Sequence, residues 1–168
     1  MRDLAKHVLF LVVMGGVCGG LLHFANAITK ADIDTNRLLA QQQLLTELVG
    51  SDKFVDLDVD STPAGDCTNG LLLKQIAPGY AGPIEFLIYQ RISPEVLRIR
   101  AVAHRETPGI GDFIDSRRDD YLPAKDKYTV LEWRALDGVT GATVTSAALR
   151  TAVRKALVVV SEKCGGDI

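Results

Sequence analysis

The sequence predicts an α+β domain, an antiparallel sheet packed with helices, preceded by one N-terminal transmembrane helix. Three observations carry that prediction. Residues 8–22 are uncharged and apolar, and continuing to residue 28 adds only His23 and Asn26 as strongly polar groups. Residues 71–77, 84–90 and 96–104 are rich in Leu, Ile and Val and are separated by turns containing Pro and Gly. Residues 147–163 read as a helix with one apolar face made by Leu149, Val153, Ala156, Leu157 and Val160. Strands grouped together and helices at the ends describe a segregated α+β architecture, not an alternating one.

The chain has 168 residues, enough for one domain plus an anchor and too few for two full domains. Its net charge of −2 comes from interspersed acidic and basic residues, with no basic stripe for nucleic acid and no acidic tail. The cysteines stand far apart, at 18, 67 and 164, and form no C-x-x-C pair. Neither a zinc site nor an iron–sulfur cluster follows from that spacing, and His7 and His23 add no metal-ligand partners.

About 20 apolar residues cross a bilayer as a helix, so residues 8–28 are long enough. Arg2 and Lys6 precede the span, which predicts a cytoplasmic N-terminus and a C-terminal body on the other side. The same segment also fits a cleavable signal peptide, with Ala25-Asn26-Ala27 as a small-x-small cleavage site. Composition leaves both readings open. Gly15, Gly16, Gly19 and Gly20 either admit a second membrane helix or reflect the ordinary tolerance of such helices for glycine. Val17 is too large for the residue before a lipid-modified cysteine, so Cys18 is not a lipidation site.

Residues 29–49 read as an amphipathic connecting helix, with Ile33, Leu38, Leu39, Leu44, Leu45 and Leu48 at near-helical spacing. Asp32 or Asp34 is the expected cap and Gly50-Ser51 the stop. Residues 52–70 are acidic and carry Pro63, Gly65 and Gly70, an irregular loop around a short strand at 54–57. After the three-strand meander, residues 128–134 read as one more strand. The domain boundaries are therefore 1–28 for the anchor, 29–50 for the connecting helix and 51–168 for the body.

Between that strand and the last helix lies Asp137-Gly-Val-Thr140-Gly141-Ala142-Thr143-Val-Thr145-Ser146. Glycines and hydroxyl residues at a strand-to-helix joint suit a phosphate, because Gly141 and Ala142 admit close backbone approach and the helix start offers free N–H groups. The same residues also suit a tight turn with Thr145 or Ser146 as helix cap. Spacing alone does not choose between these two readings.

This stretch resembles the flavinylation motif of FMN-binding domains, an Asp followed by Ser/Thr-Gly-Ala-Thr. Two further stretches, His104-Arg105-Glu106-Thr107-Pro108-Gly109-Ile110-Gly111-Asp112 and Gly79-Tyr80-Ala81-Gly82-Pro83-Ile84, resemble signatures of the G subunit of Rnf/Rsx electron-transport complexes. The motifs stand in the family's order and cover residues 70–160. The resemblance implies a membrane-anchored electron-transfer subunit without complete enzymatic activity of its own. Such complexes move electrons between ferredoxin and NAD and couple this to ion transport. It also implies FMN held by a phosphoester to Thr143, installed by a separate flavin transferase that takes FMN from FAD. Asp137, Thr140, Gly141 and Ala142 would form the transferase's recognition turn. Glu106, Thr107, Ile110 and Gly111 would lie along the flavin ring, with Tyr80 and Lys127 as further contacts; His104 is a candidate proton donor to the reduced ring.

The chain departs from the family's pattern in some places. Arg105 stands where Lys is usual, Ile110 replaces Leu, and Tyr121-Leu-Pro occupies a region where Trp is common. The resemblance favours a retained anchor in the cytoplasmic (inner) membrane, the body on the periplasmic side, and the other subunits of the complex as partners. Two rivals stand beside it: the C subunit of a sodium-translocating NADH:quinone reductase, and a secreted FMN-binding or sensory module. In an oxidising compartment Cys67 and Cys164 are candidates for a bridge, which requires their Cα atoms within about 7 Å.

Overall fold

The computed structural model describes residues 2–50, 63–91 and 95–165. The order of elements is α1 (Arg2–Val49), β1 (Ala64–Asp66), β2 (Gly70–Pro78), β3 (Pro83–Arg91), β4 (Val96–Ala103), α2 (Val130–Arg134) and α3 (Thr143–Cys164). Short 3-10 turns at Asp112–Ile114 and Pro123–Lys125 stand between β4 and α2. The strand expected at residues 54–57 falls outside the described residues. The chain divides into two compact units, Met1–Ala40 and Gln41–Ile168.

The first unit is helical, and its apolar side chains, Val8 to Met14 and Leu21, Leu22, Phe24 and Ile28 among them, are exposed. The helix is long and apolar enough to cross a membrane by length and composition. Asp32 and Asp34 lie inside α1 and cap nothing, contrary to expectation, since no breaker separates the apolar run from the amphipathic one. A helix that is already running needs no new start.

The second unit is built on one antiparallel meander in the order β1-β2-β3-β4. Leu73 faces Ile88 across β2 and β3, and Ile88 faces Ile99 across β3 and β4, with a register shift at Glu85/Phe86. Alternation sends Leu71, Leu73, Phe86, Ile88, Leu97 and Ile99 to one face. There they meet Ala148, Leu149, Ala152, Val153, Ala156, Leu157 and Val160 of α3. All five apolar positions expected on that helix are buried. On the opposite face Leu72, Leu87 and Tyr89 pack against Leu45, Leu48 and Val49 at the end of α1. That helix stops at Gly50, whose φ of +66° closes the last turn through a hydrogen bond to Thr46.

Arg100 points to this second face and is buried between two carboxylates. It reaches Asp126 at 2.7 Å and Glu47 at 3.1 Å. Burial alone would lower its pKa, but the hydrogen bonds and charges of Asp126 and Glu47 outweigh this and raise it. At the far edge of the unit Cys67 and Cys164 form a disulfide with a Cα–Cα distance of 5.7 Å. The bridge ties the turn after β1 to the last residue of α3.

Residues 128–134 do not form a strand. Thr129 caps the helix α2: its side chain accepts from the Glu132 amide while the Glu132 carboxylate accepts from the Thr129 amide. That reciprocal box satisfies two free donors locally and overrides the β-propensity of Tyr128, Val130 and Trp133. The Trp133 indole then donates to the Leu97 carbonyl of β4 at 2.9 Å, so α2 closes that edge of the sheet. The last helix starts at Thr143, four residues earlier than its apolar face suggested.

Candidate functional site

Three loops meet at the N-terminal end of α3, and one side chain joins them. Glu106 is 5% exposed. Its Oε1 accepts the Ala81 amide at 3.0 Å, from the turn between β2 and β3. Its Oε2 accepts the hydroxyl of Thr145, from the first turn of α3. Two glycines lie close beside it. A Cβ on Gly79 would lie 2.6 Å from Oε1, and one on Gly111 would lie 2.8 Å from Oε2. A side chain at either position would have to displace the Glu106 carboxylate.

Each loop is held by its own hydrogen bonds. Gly79 donates to the Gly82 carbonyl across the first turn. The amides of Ile110 and Gly111 both donate to the Thr107 carbonyl, and the Gly109 amide donates to Asp112. In the third loop Ala142 donates to the Val139 carbonyl, closing a turn whose third residue, Gly141, has φ +83°. The Ser146 hydroxyl accepts the Val139 amide at 3.0 Å and pins the turn to the helix.

Thr145 and Ser146 are thus not caps, contrary to the local reading. Both are buried within the helix and spend their hydroxyls on Glu106 and on the turn. The N-cap is Ala142, which offers no side-chain acceptor. The first amides of a 22-residue helix, those of Thr143, Val144 and Thr145, stay free of side-chain capping. The exposed Thr143 hydroxyl stands among them at the first helical position. An anion attached there meets the positive end of the macrodipole.

Gly141 faces open space, with nothing within 4 Å of a would-be Cβ. Around the same end Tyr80 is 75% exposed, Ile110 55% and Val144 46%, apolar surfaces suited to a flat ring. Thr107 and Thr140 are exposed beside them. The residues present therefore fit FMN: free amides for its phosphate, a hydroxyl for attachment and apolar side chains for the ring.

The structure does not bring every expected residue to this point. Glu106 turns its carboxylate inward to the Ala81 amide and Thr145, not outward along a ring. Lys127 is exposed and contacts none of the other candidates among the described residues. Asp137 lies at the other end of the motif, in a pocket of about 450 Å³ shared with Tyr121, Tyr128, Leu136 and Val139. There Lys125 sits 3.3 Å over the Tyr121 ring, and burial lowers the lysine pKa and raises that of the tyrosine.

His104 is occupied with structure. Its Nδ1 accepts the Glu106 amide at 3.3 Å, and its Nε2 lies 3.6 Å from Asp115. The Arg117 guanidinium, hydrogen-bonded to Asp115, lowers that carboxyl's pKa and holds it charged. The sequence reading missed Thr145, Ser146 and Gly79 as parts of the site. Their positions inside the three motifs were the available signal, but their partners are distant in the chain.

A profile of the FMN-binding domain family matches residues 79–158, a range that spans all three loops. The chain is 29% identical to the G subunit of the ion-translocating oxidoreductase complex of Cronobacter sakazakii, over 93% of this chain and 89% of the relative. It is 33% identical to the protein of the same name from Shewanella oneidensis, over 82% and 69% respectively. A third relative of that name, from Shewanella baltica, is 31% identical over 82% and 70%. With its FMN-binding domain closed around Glu106 and one apolar N-terminal helix, the chain belongs to the family of G subunits of ion-translocating oxidoreductase complexes.

Proposed function

We propose that this chain is the flavin-carrying electron-relay subunit of a membrane-bound ion-translocating oxidoreductase complex, with FMN esterified to Thr143. The observation that carries the reading is the uncapped start of α3, where the exposed Thr143 hydroxyl lies beside free amides. Bound FMN would supply the reversible redox chemistry of an electron relay. The protein's part is to bind, orient and hold. The amides of Thr143, Val144 and Thr145 stabilise the phosphate charge, and Gly141 leaves its approach open. Glu106 holds the turn after β2 and the start of α3 together, and the exposed Tyr80 and Ile110 on the adjoining loops would offer apolar surface to the ring. Attachment by an ester keeps the cofactor in place in both redox states.

A threonine hydroxyl is not nucleophilic at neutral pH. Among the described residues no base contacts Thr143. A dedicated flavin transferase therefore moves FMN from FAD onto it, with AMP leaving. α1 anchors the chain in the cytoplasmic membrane, and the body faces the periplasm, where the Cys67–Cys164 bridge is chemically at home. A reporter fused after residue 168 is expected to be active only outside the cytoplasm.

The deciding experiment co-expresses the chain with its transferase and maps the flavin by peptide mass spectrometry. The wild type should carry the mass of FMN less one water on Thr143, and Thr143→Ala should fold and carry none. Persistent covalent flavin in Thr143→Ala, or a modified Thr140 or Thr145 in the wild type, would overturn the assignment.

A further inference from the structure

A second surface runs down α3 from the flavin end, and nothing in the site uses it. Trp133, Arg134, Arg150, Arg154, Leu157 and Val158 line a groove of about 640 Å³ between α2 and α3. Three guanidinium groups edge it, and no carboxylate is among its lining residues. Arg150 and Arg154 enter no ion pair among the described residues. Val158, 54% exposed, and the buried Leu157 and Trp133 give the basic groove an apolar floor.

The groove is aligned with the attachment site. Residues 143, 147, 150, 154 and 158 recur at spacings of three and four, which puts them on one face of α3. At 1.5 Å per residue, Arg150 lies about 10 Å and Arg154 about 16 Å along the axis from Thr143. Arg150 also reaches back toward the motif: its Nη1 lies 3.7 Å from where a Cβ on Gly138 would stand.

We propose that this groove docks an acidic, partly apolar segment of another subunit of the same complex, seating that subunit beside the flavin. The proposal rests on the electron-relay reading above. Guanidinium forks recognise carboxylates bidentately, and basic rims steer acidic partners into register. The apolar floor supplies the buried centre that a charged rim alone lacks. A partner bound here approaches Thr143 from along the helix.

The test places a photo-crosslinking amino acid at position 158 of the full chain, in membranes that contain the assembled complex. The expected adduct joins position 158 to an Asp- and Glu-rich peptide of another subunit of that complex. Its yield should fall about tenfold in Arg150→Glu/Arg154→Glu and at high salt, and by less in Arg150→Lys/Arg154→Lys, which keeps the charge but loses the bidentate fork. A lipid adduct, a second copy of this chain, the flavin transferase or no adduct at all would overturn the proposal. So would a yield indifferent to charge reversal. Flavin content is measured by mass in the same samples. Flavin present without the acidic-peptide adduct refutes only the docking surface. An intact adduct on a chain without flavin refutes only the relay reading.

Discussion

The Thr145 hydroxyl donates to the buried Glu106 carboxylate, joining the first turn of α3 to a loop 39 residues away in sequence. With the Ala81 amide on the other oxygen, one carboxylate holds three segments that have no covalent connection nearby. Removing a donor from a buried charged acceptor costs about 2 kcal/mol, more than an exposed cap would. Thr145→Ala should therefore lower the unfolding free energy by roughly that amount. It should still acquire covalent flavin, since Thr143 is untouched. Urea denaturation together with flavin mass on the same preparation checks both parts. A folded Thr145→Ala protein without covalent flavin would contradict the second.

Arg100 is 1% exposed, whereas its partners Asp126 and Glu47 are 26% and 48% exposed. Breaking a fully buried pair typically costs about 3–5 kcal/mol, but here water reaches both carboxylates once the arginine is gone. Arg100→Ala should thus destabilise by about 3 kcal/mol, at the low end of that range. Arg100→Met, which keeps most of the buried volume, should lose less. Thermal or chemical denaturation of the two variants ranks them, and an Ala variant as stable as wild type would refute the account.

The Cys67–Cys164 bridge closes a segment of 97 residues. Chain entropy for a loop near that size amounts to about 4.7 kcal/mol, and measured values more often fall at about 2–4 kcal/mol. Cys67→Ser/Cys164→Ser should lose stability within the lower range. Thiol titration of unfolded, unreduced protein should find only Cys18 free. Three free thiols would show that the bridge does not form.

Asp115 has its pKa lowered, chiefly by its hydrogen bond from Arg117. A carboxylate depressed in the folded state contributes stability above its unfolded pKa, about 3.9, and loses it as pH falls through the folded value. The difference in stability between wild type and Asp115→Asn should therefore be largest at neutral pH and shrink below about pH 4. Denaturation midpoints at pH 7 and pH 3 measure it. A difference that grows on acidification would reverse the sign.

Local pattern determined much of this protein. Runs rich in Leu, Ile and Val between turns containing Pro and Gly, at residues 71–77 and 84–90, mark β2 and β3 to within one residue at either end, because short, nearly continuous apolar runs suit strands covered on both faces. Leu149, Val153, Ala156, Leu157 and Val160 mark the buried face of α3 for the corresponding reason at a period of 3.6. Gly50 ends α1 because a left-handed residue is a local property of the backbone. Where two local signals competed, at residues 128–134, the capping box of Thr129 and Glu132 outweighed β-propensity.

The tertiary structure decided what each polar side chain is for. Thr145 and Ser146 look like caps when only their neighbours are considered, yet Glu106 and Val139 claim their hydroxyls and leave the helix start open. Whether Cys67 meets Cys164, or Arg100 meets Asp126, depends on how the sheet and helices stack across 97 and 26 residues of chain. Hydrogen bonds, ion pairs and disulfides are satisfied by proximity, and proximity between distant residues follows from packing the whole domain, not from any window of sequence.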